Sequence, residues 1–342
     1  MYEVKVISKP TRFSCDFKRL AMKRIICSCE ETVQRCRDEI SVHRRCVRQT
    51  SLILILLVFV SFKSFYSCDH PTLLPLVAHK FDKTASTTVC YMLSPLISSS
   101  LRNEVNVRLN LLNELPTNRL LNPFTERQVL EIFSGIVSGV QCLHDSGLAH
   151  RDIKLENVLF ETESSRPILM DFGSACPITL PIKSRKSLLS LIDQASEHST
   201  ISYRAPELFE GHVRYGPEES DIDGRTDVWS LGCLLFGIMY GYSPFECEIR
   251  GDRIKVVDCS YLRVLGSIPK PSRHSVLYER YSESLNELVT WILNEDRSLR
   301  PTLSEVSKKT DELMAACGAE NRWRSSNGFW SSEVGEDSSF LV

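Results

Sequence analysis

Apolar residues recur at helical spacing in three segments of the second half of the chain. The first opens with a capping-box pattern at residues 125–128 (TERQ), continues with apolar side chains to Leu143 and meets a C-terminal stop at Gly147. Residues 227–240 are apolar on nearly every side, as in a helix buried inside a large domain. Residues 284–293 show an amphipathic pattern. The spacing therefore predicts three helices around one large core.

Two shorter patterns complete this outline. Residues 168–170 (ILM) follow a proline and are typical of a short buried strand. The end of the chain, residues 315–342, is rich in serine with scattered aromatic side chains, and we expect it to be a disordered tail.

An apolar run at residues 52–60 (LILILLVFV) raises the question of a membrane span. A spanning helix needs about 20 apolar residues, and Lys63 interrupts this run, so we expect no transmembrane segment. The β-branched and aromatic content favours a buried strand or an abnormal insert. Peripheral membrane association stays open, and a membrane-anchored binding protein built on residues 52–66 is the least favoured interpretation.

Composition excludes several classes of protein. Hydrophobic residues make up 42% and charged residues 25%, which excludes collagen-like, coiled-coil and fully disordered chains. The formal net charge of -2 gives no basic surplus for binding nucleic acid. The 13 cysteines are an odd number without the paired spacing of a zinc site, so free thiols in a reducing compartment are expected. These properties indicate a globular cytoplasmic protein.

Three motifs in the second half carry chemistry. Residues 150–157 read HRDIKLEN, residues 171–173 read DFG, and residues 205–207 read APE. The motifs H-R-D-x-x-x-x-N, D-F-G and A-P-E in this order strongly resemble the eukaryotic protein kinase family. The resemblance implies an α+β fold of two lobes that binds ATP and magnesium and phosphorylates serine or threonine of protein substrates.

The same resemblance implies how the chain is divided. A kinase domain is expected over residues 1–314. Its N-lobe, over about residues 1–94, is expected to be small, β-rich and incomplete, with an anomalous insert at about residues 46–67. A mainly helical C-lobe is expected over about residues 98–314. ATP is expected in the cleft between them, with its adenine against the connector at about residues 91–97.

The kinase resemblance implies roles for four residues of these motifs. Asp152 accepts or orients the proton of the substrate hydroxyl, and Asn157 and Asp171 hold two magnesium ions through oxygen atoms. Lys154 places a positive charge near the transferred phosphate and is typical of serine/threonine kinases. We therefore expect Asp152, Lys154 and Asn157 to be catalytic, and Asn157 and Asp171 to bind the metal.

In the smaller lobe, residues 20–25 (LAMKRI) resemble the kinase strand that carries the ATP-binding lysine. Lys23 is the candidate for that lysine, and Glu39, sixteen residues later, is its expected helix partner. Both are predicted to belong to the nucleotide site, with Asn157 and Asp171.

The resemblance also implies structural roles for four further residues. Arg151 is expected to tether the activation segment, the stretch between the DFG and APE motifs. Glu207 is expected to pair with Arg300, and Asp227 to brace the catalytic loop.

Three longer segments resemble a narrower group. Residues 149–152, 200–209 and 225–233 are similar to the Numb-associated kinase family, and within it to the branch of the myristoylated and palmitoylated serine/threonine kinase. This resemblance implies association with Golgi membranes and secretory traffic and an extra helix over residues 209–225. It also implies candidate autophosphorylation positions, namely Thr200, Ser202 and Tyr203.

Two departures from the kinase pattern favour an alternative function. The glycine-rich loop that covers ATP phosphates should precede Lys23, yet residues 1–22 contain no glycine, and the first glycine of the chain is Gly135. An insertion of about twenty residues, over residues 46–67, follows the helix of Glu39. A pseudokinase or scaffold-type binding module with an impaired ATP site is therefore the alternative to an active enzyme.

Overall fold

The computed structural model describes residues 2–5, 19–45, 63–64, 70–84, 87–109, 123–209 and 221–326. In these residues a β-sheet with one helix forms an N-terminal lobe, and a mainly helical lobe follows it. The predicted α+β architecture of two lobes is confirmed.

The N-terminal lobe is a five-stranded antiparallel sheet with the strand order β1-β2-β5-β4-β3. Its strands are β1 (Tyr2–Lys5), β2 (Arg19–Cys27), β3 (Lys63–Ser64), β4 (Ala78–Lys83) and β5 (Thr88–Pro95). Helix α1 (Glu30–Arg45) packs on this sheet. Its buried residues Val33, Cys36 and Ile40 lie at helical spacing on one face, against apolar side chains of β2 and β5. This packing fixes the distance between α1 and β2.

The described part of the C-terminal lobe is mainly helical. Its helices are α2 (Leu101–Arg108), α3 (Glu126–Asp145), α4 (Arg185–His198), α5 (Arg225–Tyr240), α6 (Tyr261–Val264), α7 (Val276–Glu279), α8 (Glu283–Ile292) and α9 (Leu303–Ser326). Short antiparallel pairs join β6 (Leu148–Ala149) to β9 (Cys176–Pro177), β7 (Val158–Glu161) to β8 (Arg166–Leu169), β10 (Leu180–Pro181) to β11 (Asp221–Ile222), and β12 (Cys247–Arg250) to β13 (Arg253–Val256).

The three predicted core helices are confirmed as α3, α5 and α8. Thr125 and Gln128 form the capping box of α3 with reciprocal hydrogen bonds, and Gly147 adopts a left-handed φ of 75° just after the helix. Helix α5 is buried along almost its whole length, from Thr226 to Tyr240. The strand predicted at residues 168–170 is confirmed as β8, which begins two residues earlier and ends one residue earlier.

The end of the described chain differs from the expectation. Helix α9 continues to Ser326, so residues 315–326 are helical and not the start of a disordered tail. The reason is that Leu313, Met314 and Cys317 pack against the core of the C-terminal lobe. Residues 327–342 lie outside the described residues.

Three other predictions concern residues that are only partly described. Most of the insertion at residues 46–67 lies outside the described residues, as do residues 6–18, where a glycine-rich loop is expected, and residues 210–220 of the expected extra helix. Among the helices that the structure does describe, none has the length and apolar character needed to cross a bilayer. Cys27, Cys36, Cys90, Cys233 and Cys247 are buried free thiols.

Candidate active site

The loop that contains residues 150–157 follows β6 and is held by a buried carboxylate. Asp227, in the first turn of α5, accepts hydrogen bonds from the backbone N–H of His150 at 2.7 Å, from that of Arg151 at 2.9 Å, and from Nε2 of His144 at 2.9 Å. These bonds hold Arg151 at a φ of 68°, in the left-handed region that costs energy for a side chain other than glycine. Asp227 is therefore placed to brace the loop.

Electrostatics favour the ionised form of this carboxylate. Burial alone would raise the pKa of Asp227, but the hydrogen bond and charge of His144 and the charge of Arg151 outweigh it and lower the pKa to about 2. Asp227 is thus a permanent negative charge beneath the loop at neutral pH.

Asp152, Lys154 and Asn157 form one hydrogen-bonded group. Nζ of Lys154 lies 2.8 Å from Oδ2 of Asp152. The side-chain amide of Asn157 donates to the same Oδ2 at 2.8 Å and to the backbone carbonyl of Asp152 at 2.7 Å. The other carboxylate oxygen, Oδ1, accepts from the backbone N–H of Thr200 at 3.2 Å and from its hydroxyl at 3.1 Å. The Asp152 carboxylate is therefore fixed from both sides.

Lys23, Glu39 and Asp171 form a second group across the cleft. Nζ of Lys23 lies 2.8 Å and 3.1 Å from the two carboxylate oxygens of Glu39, and 2.8 Å from Oδ1 of Asp171. Lys23 comes from the middle of β2 and Glu39 from the face of α1 that packs on the sheet. The ammonium thus joins the strand, the helix and the DFG motif.

The charges of this group shift one another's pKa values. Burial lowers the pKa of Lys23, but the carboxylates of Glu39 and Asp171 outweigh burial and raise it. Burial raises the pKa of Glu39 more than the charge of Lys23 lowers it. For Asp171, burial opposes ionisation, but Lys23 outweighs burial and lowers the pKa. At neutral pH the lysine is charged and the Asp171 carboxylate is ionised.

Hydrogen bonds to backbone carbonyls connect the two groups. The N–H of Met170, directly before Asp171, donates to the carbonyl of Asn157 at 2.9 Å, and Nε2 of His150 lies 3.2 Å from the carbonyl of Met170. Asp171 has a left-handed φ of 64°, a second strained position in this site. These contacts bring the oxygen-bearing side chains of Asn157 and Asp171 to neighbouring segments of the cleft.

The donor set suits magnesium. The hydrogen bonds of the Asn157 side chain to described residues use its Nδ2, so its Oδ1 is the atom that can bind a cation. A carboxylate and an amide carbonyl are the hard oxygen ligands that Mg²⁺ takes in proteins. A cavity of about 320 Å³ lies beside Lys23, Glu39 and Asp171 and extends to Thr32 and Arg35 of α1. The cavity is polar, and the Lys23 ammonium lies 2.8 Å from Asp171, one of the two candidate oxygen ligands.

Phe172 of the DFG motif is packed between two histidines. Its ring centroid lies 4.9 Å from that of His43 on α1 and 5.5 Å from that of His150, both with the rings edge to face. Burial lowers the pKa of His43 to about 3, with a further contribution from the nearby Lys23 charge, so His43 is neutral at physiological pH. The Phe172 side chain thus connects helix α1 to the loop of residues 150–157.

The activation segment contains a helix that the sequence pattern did not reveal. Helix α4 lies before the APE motif, and its end leads into Thr200, whose hydroxyl accepts a hydrogen bond from Lys154 at 2.7 Å. Ser202 and Tyr203 are only 2% and 3% exposed, so these two expected phosphorylation positions are closed to a second kinase in this conformation.

One structural contact expected by resemblance is present. Glu207 and Arg300 form a buried ion pair with two hydrogen bonds, at 2.7 Å and 3.0 Å. Arg151 donates to the hydroxyl of Thr226, in the first turn of α5, at 2.7 Å. Burial raises the pKa of Cys176, at the start of the activation segment, and the charge of Arg151 opposes this rise.

All six residues proposed from the sequence for catalysis, metal and nucleotide binding lie in these two groups. The roles of His144 and His43 were not predicted from the sequence, and Thr200 was predicted only as a phosphorylation position, without its bonds to Asp152 and Lys154. His144 stands six residues before His150 and His43 four residues after Glu39, one helical turn on. The latter spacing was the available signal that His43 lies on the same face of α1 as Glu39.

Comparison with known proteins agrees with this geometry. A family model described as the protein kinase domain matches residues 12–310. Serine/threonine-protein kinase 16 of Homo sapiens is 31% identical over 86% of this chain and 81% of its own length, and the protein of that name from Mus musculus is 30% identical over the same shares. A probable serine/threonine-protein kinase of Dictyostelium discoideum is 26% identical, with 87% of each chain covered.

Proposed function

The chain belongs to the protein kinase family, and we propose that it transfers the γ-phosphate of ATP to serine and threonine hydroxyls of protein substrates. The single observation that carries this proposal is the group formed by Asp152, Lys154 and Asn157. The Asp152 carboxylate is held by hydrogen bonds on both of its oxygen atoms, and the Lys154 ammonium lies 2.8 Å from it. This arrangement suits a carboxylate that accepts the proton of a substrate hydroxyl, and an ammonium that neutralises charge on the phosphate that this hydroxyl attacks.

Each of the six site residues has a distinct part in this proposal. Asp152 would orient the substrate hydroxyl and accept its proton, and Lys154 would hold positive charge next to the transferred phosphate. Lys23, fixed by Glu39, would bind phosphate oxygens of the nucleotide. Asn157 and Asp171 would hold Mg²⁺, which when bound supplies positive charge to the phosphate oxygens.

A finer assignment concerns the cellular setting. The similarity of residues 149–152, 200–209 and 225–233 to the Numb-associated kinase family supports a kinase of secretory traffic that associates peripherally with Golgi membranes. Deleting residues 47–67 and fractionating cells tests whether the apolar run at residues 52–60 contributes to this association. Unchanged membrane association would remove that segment from the proposal.

A direct transfer assay tests the proposed reaction. The purified chain is incubated with labelled ATP, Mg²⁺ and a protein substrate rich in serine and threonine, beside Asp152→Asn and the matched control Asp311→Asn on an exposed face of α9. We expect transfer by the unmodified chain and by Asp311→Asn, and a loss of about 10²- to 10⁴-fold in Asp152→Asn. Equal transfer by all three proteins would refute the role of Asp152.

The alternative, a scaffold with an impaired ATP site, predicts a different pair of results. The melting temperature of such a scaffold would stay constant with Mg²⁺-ATP, and no protein would be phosphorylated. An active kinase gives both a ligand-dependent rise and transfer that depends on Asp152.

A further inference from the structure

Three buried thiols lie together between α1 and the N-terminal sheet. Cys27 is the last residue of β2, Cys36 lies on the buried face of α1, and Cys90 belongs to β5. Each is at most 3% exposed, and all three belong to the apolar cluster that packs α1 on the sheet. The proposed phosphate transfer uses none of them, so this cluster contains nucleophilic groups without an assigned role.

Two of these thiols are in direct contact. The Sγ atoms of Cys27 and Cys36 lie 3.8 Å apart, although the two residues are nine positions apart in the chain and belong to different elements. A disulfide joins its sulfur atoms at about 2 Å. Rotation of the two side chains, together with a small shift of Cys27 at the end of its strand, can close this gap without unfolding β2 or α1.

A small oxidant can reach this pair from the cleft. The cavity of about 320 Å³ that borders Lys23 and Asp171 is also lined by Cys36. Cys36 is the only thiol among the described residues that line it. Hydrogen peroxide is hardly larger than water and fits a cavity of this volume. Cys36 is therefore the thiol that peroxide in the cleft meets first, with Cys27 in contact on its other side.

We propose that Cys36 and Cys27 are a redox modification site, at which peroxide forms a disulfide that thiols reduce again. The bond would connect the two elements that carry the ion pair of the nucleotide site. Cys27 stands four residues after Lys23 on β2, and Cys36 stands three residues before Glu39 on α1. Oxidation would therefore hold the first half of α1 against the strand of Lys23.

The reaction consumes one peroxide for each disulfide. The sulfur of Cys36, as a thiolate, attacks one peroxide oxygen, the O–O bond breaks, and hydroxide leaves and takes up the thiol proton as water. Cys36 is then a sulfenic acid. The sulfur of Cys27 attacks the sulfur of Cys36, the S–O bond breaks, and a second water leaves with the Cys27 proton. The two thiols lose two electrons, and the peroxide gains them.

The surroundings of the pair set the rate of this reaction. The neighbouring Cys90 thiol and burial both raise the pKa of Cys36, and burial raises the pKa of Cys27. Because the thiolate is the nucleophile, oxidation should be slow at neutral pH and faster as the pH rises. The site therefore responds to sustained exposure to peroxide.

Peptide mapping tests the site in the unmodified full chain. After incubation with hydrogen peroxide, the remaining thiols are alkylated and the chain is digested without reductant. We expect a cross-linked pair of peptides that contains Cys27 and Cys36, and we expect dithiothreitol to abolish it. A disulfide from either residue to Cys90 or to another cysteine of the chain, or oxidation that leaves both thiols unlinked, would overturn the inference.

Matched variants identify the two sulfur atoms. Residues 25–35 form one tryptic peptide that contains both Cys27 and Cys29, so the map is repeated with Cys29→Ser, a change of an exposed thiol that should keep the cross-link. Cys27→Ala and Cys36→Ala should each lose it. Cys90→Ala changes the third thiol of the same cluster and should keep it. A cross-link that persists in Cys27→Ala and disappears in Cys29→Ser would overturn the assignment.

A further pair of measurements needs no substitution, so it applies even where a core variant fails to fold. A disulfide restricts the unfolded chain, and we expect oxidation to raise the melting temperature by about 3–8 °C, reversibly with dithiothreitol. Amides of α1 should exchange hydrogen more slowly in the oxidised chain, and amides of α8, in the other lobe, should not change. A lower melting temperature, or equal exchange of α1 in the two states, would show that the bond does not hold the helix.

These measurements are independent of the proposed function, because none of them requires catalysis. A chain that transfers no phosphate but forms the cross-link would refute the proposed function and support the redox site. A chain that transfers phosphate but never joins Cys27 to Cys36 would refute the redox site alone.

Discussion

Thr200 donates a hydrogen bond from its hydroxyl to Oδ1 of Asp152, at 3.1 Å, and accepts one from Nζ of Lys154, at 2.7 Å. A single side chain of the activation segment therefore contacts two of the three residues proposed for catalysis. Because both bonds involve a charged group, each is stronger than a bond between neutral groups. The position of the activation segment and the position of the carboxylate are thereby linked.

Replacing Thr200 by alanine should reduce turnover. Loss of a hydrogen bond to a charged group costs about 1.5–3 kcal/mol, which corresponds to a decrease in kcat of about 10- to 100-fold. KM for ATP should not change, because Thr200 does not contact Lys23 or Asp171. Steady-state kinetics of Thr200→Ala measures both quantities, and Thr200→Ser, which keeps the hydroxyl, should restore most of kcat. An alanine variant as active as the unmodified chain would contradict this role.

The parts of the fold that depend on local periodicity were predictable. Helices α3, α5 and α8 each carry an apolar pattern within a single stretch, and Thr125 and Gln128 mark the start of α3 by chemistry that acts within one turn. The continuation of α9 past residue 314 was not predicted, since the packing of Leu313, Met314 and Cys317 against the core depends on tertiary contacts.

The candidate site likewise contains residues that were predictable from the sequence and contacts that were not. Asp152, Asn157 and Asp171 stand in short motifs whose order is informative, whereas the contact between His144 and Asp227 joins residues 83 positions apart. No spacing rule links such residues, because their contact depends on how α3 and α5 pack.

A second prediction concerns the nucleotide. Lys23→Met should remove the rise in melting temperature that Mg²⁺-ATP gives the unmodified chain, because the cation for the phosphate oxygens is lost. The same change leaves Glu39 buried without its partner, so the pKa of Glu39 should rise further. Differential scanning fluorimetry with and without Mg²⁺-ATP measures the effect. Lys80→Met, on β4, is the control and should retain the rise; an unchanged rise in Lys23→Met would show that ATP binds elsewhere.

A third prediction concerns pH. His43 is 5% exposed, and its Nδ1 has no hydrogen-bond partner among the described residues. Its pKa of about 3 in the folded chain lies below the value of about 6.5 in an unfolded chain, so the unfolded chain binds the proton first as pH falls. The full stability is present above pH 6.5 and decreases progressively from there towards pH 3. At pH 5 the loss from this group amounts to about 2 kcal/mol.

Replacing His43 by leucine should remove this pH dependence. Urea unfolding at pH 7 and pH 5 should give a smaller difference for His43→Leu than for the unmodified chain, because leucine cannot take up a proton. At pH 7 the substitution removes a buried nitrogen without a partner among the described residues, but it also removes the hydrogen bond of the His43 ring with the backbone of Leu74, so the two effects on stability oppose each other. The neighbouring charge of Lys23 stays constant over this range. His274→Leu, at an exposed position, is the control and should keep the original difference. Equal differences in the two variants would mean that His43 is not the titrating group.

The final prediction concerns the buried pair of Glu207 and Arg300. Neither side chain is more than 8% exposed, so removing the carboxylate leaves the Arg300 charge buried and uncompensated. Glu207→Ala should lower the free energy of unfolding by about 3–5 kcal/mol. Urea unfolding measures the change, and Glu131→Ala, which breaks the exposed pair with Arg127, should cost less than about 1 kcal/mol. If the two variants lose the same stability, burial does not govern the pair at Glu207. Arg300→Met in the Glu207→Ala background should recover part of the loss, because it removes the unpaired charge that causes it.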